Sequence, residues 1–103
     1  MINLDDFEKW VVQKVSKNKS TIASYEIKNE WRNRETKPGI VVLFATTDSW
    51  FGEISFWNSG EADVYILDNL ANIKFPLSYI TVKSLEEFEV AFQDFFNKLT
   101  IRD

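Results

Sequence analysis

The residues of this sequence that come nearest to a reactive group are two carboxylates. Glu61 and Asp63 lie two positions apart in a segment that alternates like a β-strand, which would place both on one face about 7 Å apart. Such a pair can act as general acid and base when its surroundings separate the two pKa values. Exposed strands also carry carboxylate pairs that do no chemistry, and nothing nearby in the sequence indicates a pocket.

Histidine and cysteine are both absent from the 103 residues. Their absence excludes thiolate chemistry and disulfides, and it removes the commonest general base and the commonest zinc and copper ligands. The glycines at 39, 52 and 60 are too far apart for a phosphate-binding loop, and no Asp/Asn cluster has the spacing of a calcium loop. We therefore expect no catalytic residues, no cofactor and no metal, and a protein that is not an enzyme.

The formal charge of −4 is unevenly distributed along the chain. Residues 1–37 contain eight basic and six acidic residues, a balance of +2, whereas residues 38–103 contain four and ten, a balance of −6. An acidic surface repels phosphate backbones, so the charge disfavours nucleic acid and favours a basic protein as partner. The alternative is that mild acidity only keeps the domain soluble.

Both ends of the sequence have the pattern of helices. At the start, Asn3 can cap a helix, and apolar residues at three-to-four spacing form a stripe of Leu4, Phe7, Trp10, Val11 and Val15. Near the end, Ser84-Leu85-Glu86-Glu87 has the form of a capping box. The core face that follows it consists of Leu85, Phe88, Phe92, Phe95, Phe96 and Leu99.

The residues between the helices read as strands. Apolar residues at Ala23, Tyr25, Ile27 and Trp31 alternate with polar ones. A charged turn follows and ends at Pro38-Gly39. Further strands are predicted at residues 40–45, 50–57, 62–67 and about 73–82, the last with a proline that indicates an edge or a bulge. The sequence predicts one α+β domain over residues 1–103, an antiparallel meander of four to five strands flanked by N- and C-terminal helices packed on one face.

The turn after Trp57 determines which strand residues share a face. If Asn58 and Ser59 form a type I turn and Gly60 takes the left-handed position, Trp57 pairs with Glu61. One face then consists of Ile54, Phe56, Ala62, Val64 and Ile66, and the other of Glu53, Ser55, Trp57, Glu61, Asp63 and Tyr65. A shift by one residue would bury carboxylates, so the three-residue turn is favoured.

The polar face of this hairpin is the candidate binding surface. Aromatic residues with a polar handle are enriched at protein interfaces, and a sheet face without a helix over it is free to dock a partner. The predicted contact residues are Phe51, Glu53, Trp57, Glu61, Asp63 and Tyr65. The alternative is that the fifth strand or a loop folds over Trp57 and covers it. Trp10 and Trp50 fall on predicted core faces and are expected to pack in the core.

The sequence also bears on location. The first residues are acidic where a signal peptide would be basic, and no apolar run approaches the ~18 residues of a membrane span. Together with the missing cysteines, this predicts a cytoplasmic protein that does not interact with membranes.

Residues 50–63, from Trp50-Phe51-Gly52-Glu53 to Glu61-Ala62-Asp63, resemble a pattern of bacterial toxin immunity proteins: an aromatic, Gly-x-Ile, then Trp-x-Ser-Gly-x-x-Asp. With its two flanking helices, the chain more specifically resembles the TriTu immunity family. The resemblance implies an inhibitor, monomeric when free, that binds a type VI or related polymorphic toxin one to one. In that family the toxin is an ADP-ribosyltransferase that modifies the translation factor EF-Tu, and the inhibitor would occlude its active site.

Two other classes fit the composition. A secretion chaperone for an effector would also be small, acidic and α+β, but it would usually be a dimer. A small-molecule-binding regulator would have an enclosed pocket in place of an open face.

Overall fold

The computed structural model describes residues 1–100, which build one antiparallel sheet and two helices. The chain forms α1 (Leu4–Lys17), β1 (Ile22–Lys28), β2 (Gly39–Thr46), β3 (Phe51–Trp57), β4 (Glu61–Leu67), β5 (Ile73–Thr81) and α2 (Phe88–Leu99). Each strand pairs with the next along the chain, in the order β1-β2-β3-β4-β5. The predicted α+β meander is therefore confirmed, with five strands.

Both helices pack on the same face of the sheet and form the core with it. Phe7 of α1 stacks on Phe56 of β3 with ring centroids 4.1 Å apart, and Phe96 of α2 meets Phe44 of β2 edge-on at 5.3 Å. Trp10 lies between the helices, because its ring contacts Phe88, Phe92 and Phe96 and its indole N–H donates to Glu89 at 3.1 Å. Trp50 also packs against this core, as predicted.

The start of α1 follows the sequence prediction, and the start of α2 does not. Asn3 Oδ1 accepts a hydrogen bond from the Asp5 N–H at 2.8 Å, as an N-cap should. The side chain of Ser84, by contrast, makes no capping hydrogen bond, and Glu87 accepts from the Lys83 N–H at 3.2 Å. The predicted capping box is therefore wrong.

A short 3-10 turn over Leu85–Glu87 explains the difference. This turn is wound more tightly than an α-helix, so its side chains are rotated relative to the apolar stripe that follows. Leu85 was predicted on the core face, but it is 51% exposed. The rest of the stripe, from Phe88 to Leu99, is buried as expected.

The β3–β4 hairpin has the predicted three-residue turn. Gly60 has a φ of +93°, and its N–H donates to the Trp57 carbonyl at 2.9 Å. The pairs Glu53–Tyr65, Ser55–Asp63 and Phe56–Ala62 are those of the predicted register. The polar and apolar faces of the hairpin are therefore separated as the sequence indicates.

The two edges of the sheet depart more from a simple ladder. On β5 the register shifts between Val64 and Leu67 of its partner strand, near Pro76, so this strand is both an edge and irregular. At the other edge, β1 ends at Lys28. The alternating pattern in the sequence extended to Trp31, but this residue lies in the loop that follows the strand. Within residues 1–100 neither helix has the length and apolar character needed to cross a membrane.

Candidate partner-binding face

The sheet face opposite the helices carries all six predicted contact residues. Phe51 is 45% exposed and Glu61 is also exposed, whereas Glu53, Trp57, Asp63 and Tyr65 are half-buried. We call this surface the open face; it is formed by the outward residues of the three middle strands, namely Val41, Leu43, Ala45, Phe51, Glu53, Ser55, Trp57, Glu61, Asp63 and Tyr65. The strand pairing therefore brings aromatic and acidic side chains together on one surface.

Trp57 does not stand alone on this face. Trp31 stacks on it with ring centroids 6.1 Å apart and an interplanar angle of 13°, and the Lys37 ammonium lies 4.8 Å from its ring centroid. Arg34 lies in turn 5.5 Å from the Trp31 ring. Trp57 is half-buried because the β1–β2 loop (residues 29–38) folds back onto one end of the open face.

This loop is attached to both layers of the protein. The guanidinium of Arg32 contacts Glu8 at 2.7 Å and Asp5 at 3.2 Å, both on α1. At the loop's end the Gly39 N–H donates to the Trp31 carbonyl at 3.1 Å, which closes the segment into a loop above the sheet. The ion pairs of Arg32 and the hydrogen bond between Gly39 and Trp31 therefore hold this charged loop in place.

Gly39 gives Trp57 the space that it occupies. A Cβ at this position would lie 2.8 Å from Trp57 Cδ1 and 2.7 Å from the Phe56 carbonyl oxygen, closer than side-chain and backbone atoms tolerate. Gly39 and Trp57 are cross-strand partners in the β2–β3 ladder. Because β2 has no side chain at this position, the Trp57 indole can approach the backbone of the neighbouring strand closely.

The polar side chains of the open face form two groups, one around Glu53 and Tyr65 and the other around Glu61 and Asp63. Glu53 lies opposite Tyr65 across the β3–β4 ladder. Burial raises the pKa of the Tyr65 hydroxyl, and the Glu53 carboxylate raises it further through its charge and as a hydrogen-bond acceptor. Glu61 and Asp63 lie nearer the start of β4, where Glu61 accepts a hydrogen bond from the Ser59 hydroxyl at 3.0 Å.

The sequence pattern does not predict the contributions of Trp31, Lys37 and Tyr79. Tyr79 pairs with Asp63 and is 77% exposed, so it extends the aromatic surface onto β5. The sheet face on which Tyr79 lies depends on the register shift near Pro76. Alternation of apolar and polar residues in the sequence does not reveal such a shift. In the sequence, the tryptophan within this strongly charged segment is the one sign that the β1–β2 loop packs against the rest of the protein.

Within residues 1–100 there is no group of three or more acidic side chains placed to hold a metal ion. The contact types that the open face does offer are ring faces, carboxylate acceptors and half-buried apolar side chains. Such a combination suits a protein partner that presents basic and apolar side chains.

Comparison with known proteins identifies the family of this chain. A search of curated proteins and a search of solved structures each give no significant match. The model of the family described as "Immunity protein TriTu" matches residues 5–98, which include both helices and all five strands, except for Leu4 and Leu99 at the helix ends. The chain belongs to the TriTu family of immunity proteins.

Proposed function

We propose that this immunity protein uses its open face to bind and neutralise a cognate antibacterial ADP-ribosyltransferase toxin by covering the toxin's active site. The observation that carries the proposal is the clustering of Trp57, Tyr65 and three carboxylates on a sheet face that neither helix covers. An inhibitor of this kind acts by occupancy, so it needs a complementary surface and no chemistry of its own. The setting proposed is the cytoplasm of the toxin-producing cell.

The charge distribution supports a basic toxin surface as the target. Glu53, Glu61 and Asp63 lie in the part of the chain that has a balance of −6. Complementary charge accelerates encounter and disfavours wrong partners, and aromatic side chains at the centre of an interface supply much of the binding free energy. Trp57 and Tyr65 are the proposed anchors, with the carboxylates pairing with basic toxin residues around them.

The first prediction concerns Trp57. Replacing it with alanine is expected to weaken the complex with a catalytically inactive toxin domain by more than about 2 kcal/mol, about 30-fold in Kd, because the indole is the largest side chain of the face. Isothermal titration calorimetry measures the affinity, and growth of cells that co-express the active toxin measures protection. An active toxin should then escape inhibition at low levels of the variant.

Tyr25→Ala is the matched control for this variant. Tyr25 is also an exposed aromatic strand residue, 40% accessible, but it pairs with Phe44 and so belongs to the helix-bearing face at the β1 edge. Its replacement should change Kd by less than about threefold, because it lies outside the proposed interface. Near-normal affinity of a folded Trp57→Ala protein would refute the assignment of this face.

The second prediction concerns oligomeric state. We propose a monomer that binds one toxin molecule, and light scattering coupled to size exclusion should therefore give the mass of a single 12.1 kDa chain. The observation that favours the chaperone alternative is the β5 edge, where Ile73, Leu77 and Tyr79 are all more than half exposed. Exposed strand edges can pair with a second copy, so a stable dimer would support the chaperone and contradict the proposed monomer.

A further inference from the structure

A hollow of about 280 Å³ lies at one end of the open face, beside the β3–β4 turn. It is lined by Lys37, Trp57, Glu61, Asp63, Tyr79 and Thr81, among others. The β4–β5 ladder builds its floor, since Asp63 pairs with Tyr79 and Glu61 pairs with Thr81. Two aromatic side chains and two carboxylates therefore border the same space.

The charges around this hollow do not balance. Lys37 is the one cation among the lining residues, against the two carboxylates of Glu61 and Asp63. Among the described residues 1–100, neither carboxylate forms an ion pair, although Asp63 is half-buried. A partly desolvated carboxylate is stabilised by a cation that approaches from outside.

Lys37 places a cation of the protein itself beside the Trp57 ring in this hollow. Its ammonium lies 4.8 Å from the Trp57 ring centroid, within the distance at which the face of an indole attracts a cation. Lys37 has a φ of +52°, a backbone conformation that L residues rarely adopt. Trp31 stacks on Trp57 but is not among the lining residues, so a cation in the hollow does not have to displace the tryptophan pair.

We propose that this hollow receives an arginine side chain of the protein partner, with Lys37 as its internal competitor. This inference rests on the proposed function and specifies the group that the open face recognises. Arginine is favoured over lysine because its planar guanidinium can stack on Trp57 or Tyr79 while it donates two hydrogen bonds to a carboxylate. Lys37 would move aside as the guanidinium enters, because two cations over one ring repel each other.

The test uses the whole chain, labelled with ¹⁵N, and a probe in place of the toxin. The probe is N-acetyl-arginine methylamide, and the matched control ligand is the citrulline analogue, which has nearly the same shape without the charge. We expect a saturable shift of the Trp57 indole N–H and of the Glu61 and Asp63 amides with the arginine probe only. Saturation should fall in the millimolar range, because a single side chain supplies few contacts.

Two pairs of variants separate the hollow from general electrostatics. Asp63→Asn should weaken probe binding about fivefold or more through loss of a charge-assisted contact, whereas Asp94→Asn, an equal charge change on α2, should leave it unchanged. Lys37→Gln should tighten probe binding about threefold by removing the competitor. Lys19→Gln, an exposed lysine outside the hollow, should have no such effect.

Equal shifts with the citrulline analogue, or no saturable shift at Trp57, would overturn the arginine site. Unchanged probe affinity in Lys37→Gln would overturn the role of Lys37 as competitor. The toxin titration of the wild-type chain is run separately. If the chain binds the toxin but not the probe, the arginine site is refuted and the proposed function stands. If the chain binds the probe but not the toxin, the proposed function is refuted and the arginine site stands.

Discussion

Alanine at position 60 is expected to lower the free energy of unfolding by about 3 kcal/mol or more. The φ of +93° at Gly60 is unfavourable for any residue with a Cβ. A Cβ there would also overlap the Val82 carbonyl oxygen, so the strain of the backbone and the steric conflict add. Urea unfolding followed by circular dichroism measures the loss.

The damage would extend beyond the turn itself. The Gly60 N–H donates to the Trp57 carbonyl, and the Gly60 carbonyl accepts from the Val82 N–H at 2.8 Å. A shift of this residue therefore disturbs the β3–β4 hairpin together with the segment that leaves β5. Ser59→Ala is the control in the same turn. It removes two exposed hydrogen bonds, the one that the Ser59 hydroxyl donates to the Glu61 carboxylate at 3.0 Å and the one that it accepts from the Glu61 N–H at 3.3 Å, and the change should stay below about 1 kcal/mol. A Gly60→Ala protein as stable as the wild type would refute this description of the turn.

Truncation of Phe7 to alanine is expected to lower the free energy of unfolding by about 3–5 kcal/mol. Phe7 is fully buried, stacks on Phe56, and lies 5.5 Å from the rings of both Phe88 and Phe92. It thus joins α1, the sheet and α2, and its loss leaves a cavity where the three meet. For a domain of this size the loss is a large part of the total stability.

Thermal and urea unfolding of Phe7→Ala should be compared with those of Val12→Ala. Val12 lies on the same helix but is partly exposed, so its truncation should change the free energy of unfolding by less than about 1 kcal/mol. A loss below about 1 kcal/mol in Phe7→Ala would mean that the two helices do not share a core with the sheet. Toxin affinity per folded molecule should be unchanged, because the residue lies on the far side of the sheet from the open face.

The features that the sequence predicts correctly are those with local causes. The β3–β4 register follows from one glycine in the turn and from the free-energy cost of burying Asp63 in any other pairing. Residues on the two faces of β3 and β4 could therefore be assigned before the structure. The apolar stripe of α1 is local in the same sense, because helical periodicity alone places Phe7, Val11 and Val15 on one side.

The features that the sequence does not predict depend on distant contacts or on local departures from regular helix and strand geometry. Arg32 bonds to Asp5 and Glu8 from another part of the chain, and this attachment, with the Trp31–Trp57 stack, turns a charged loop into part of the open face. The start of α2 follows a tighter turn than the Ser84–Glu87 pattern indicates. Tyr79 reaches the open face only after the register shift beside Pro76.

The stack of Trp31 on Trp57 also gives the protein a spectroscopic signature. Two indoles with centroids 6.1 Å apart are close enough for their electronic transitions to couple. We expect this coupling to contribute a pair of bands of opposite sign to the ultraviolet circular dichroism, with a size set by the angle between the two transition dipoles. The other two tryptophans, Trp10 and Trp50, have no indole partner among the ring contacts of the described residues. The split signal therefore reports on the end of the sheet where Trp57 lies, so occupancy of that end can be followed without any added label.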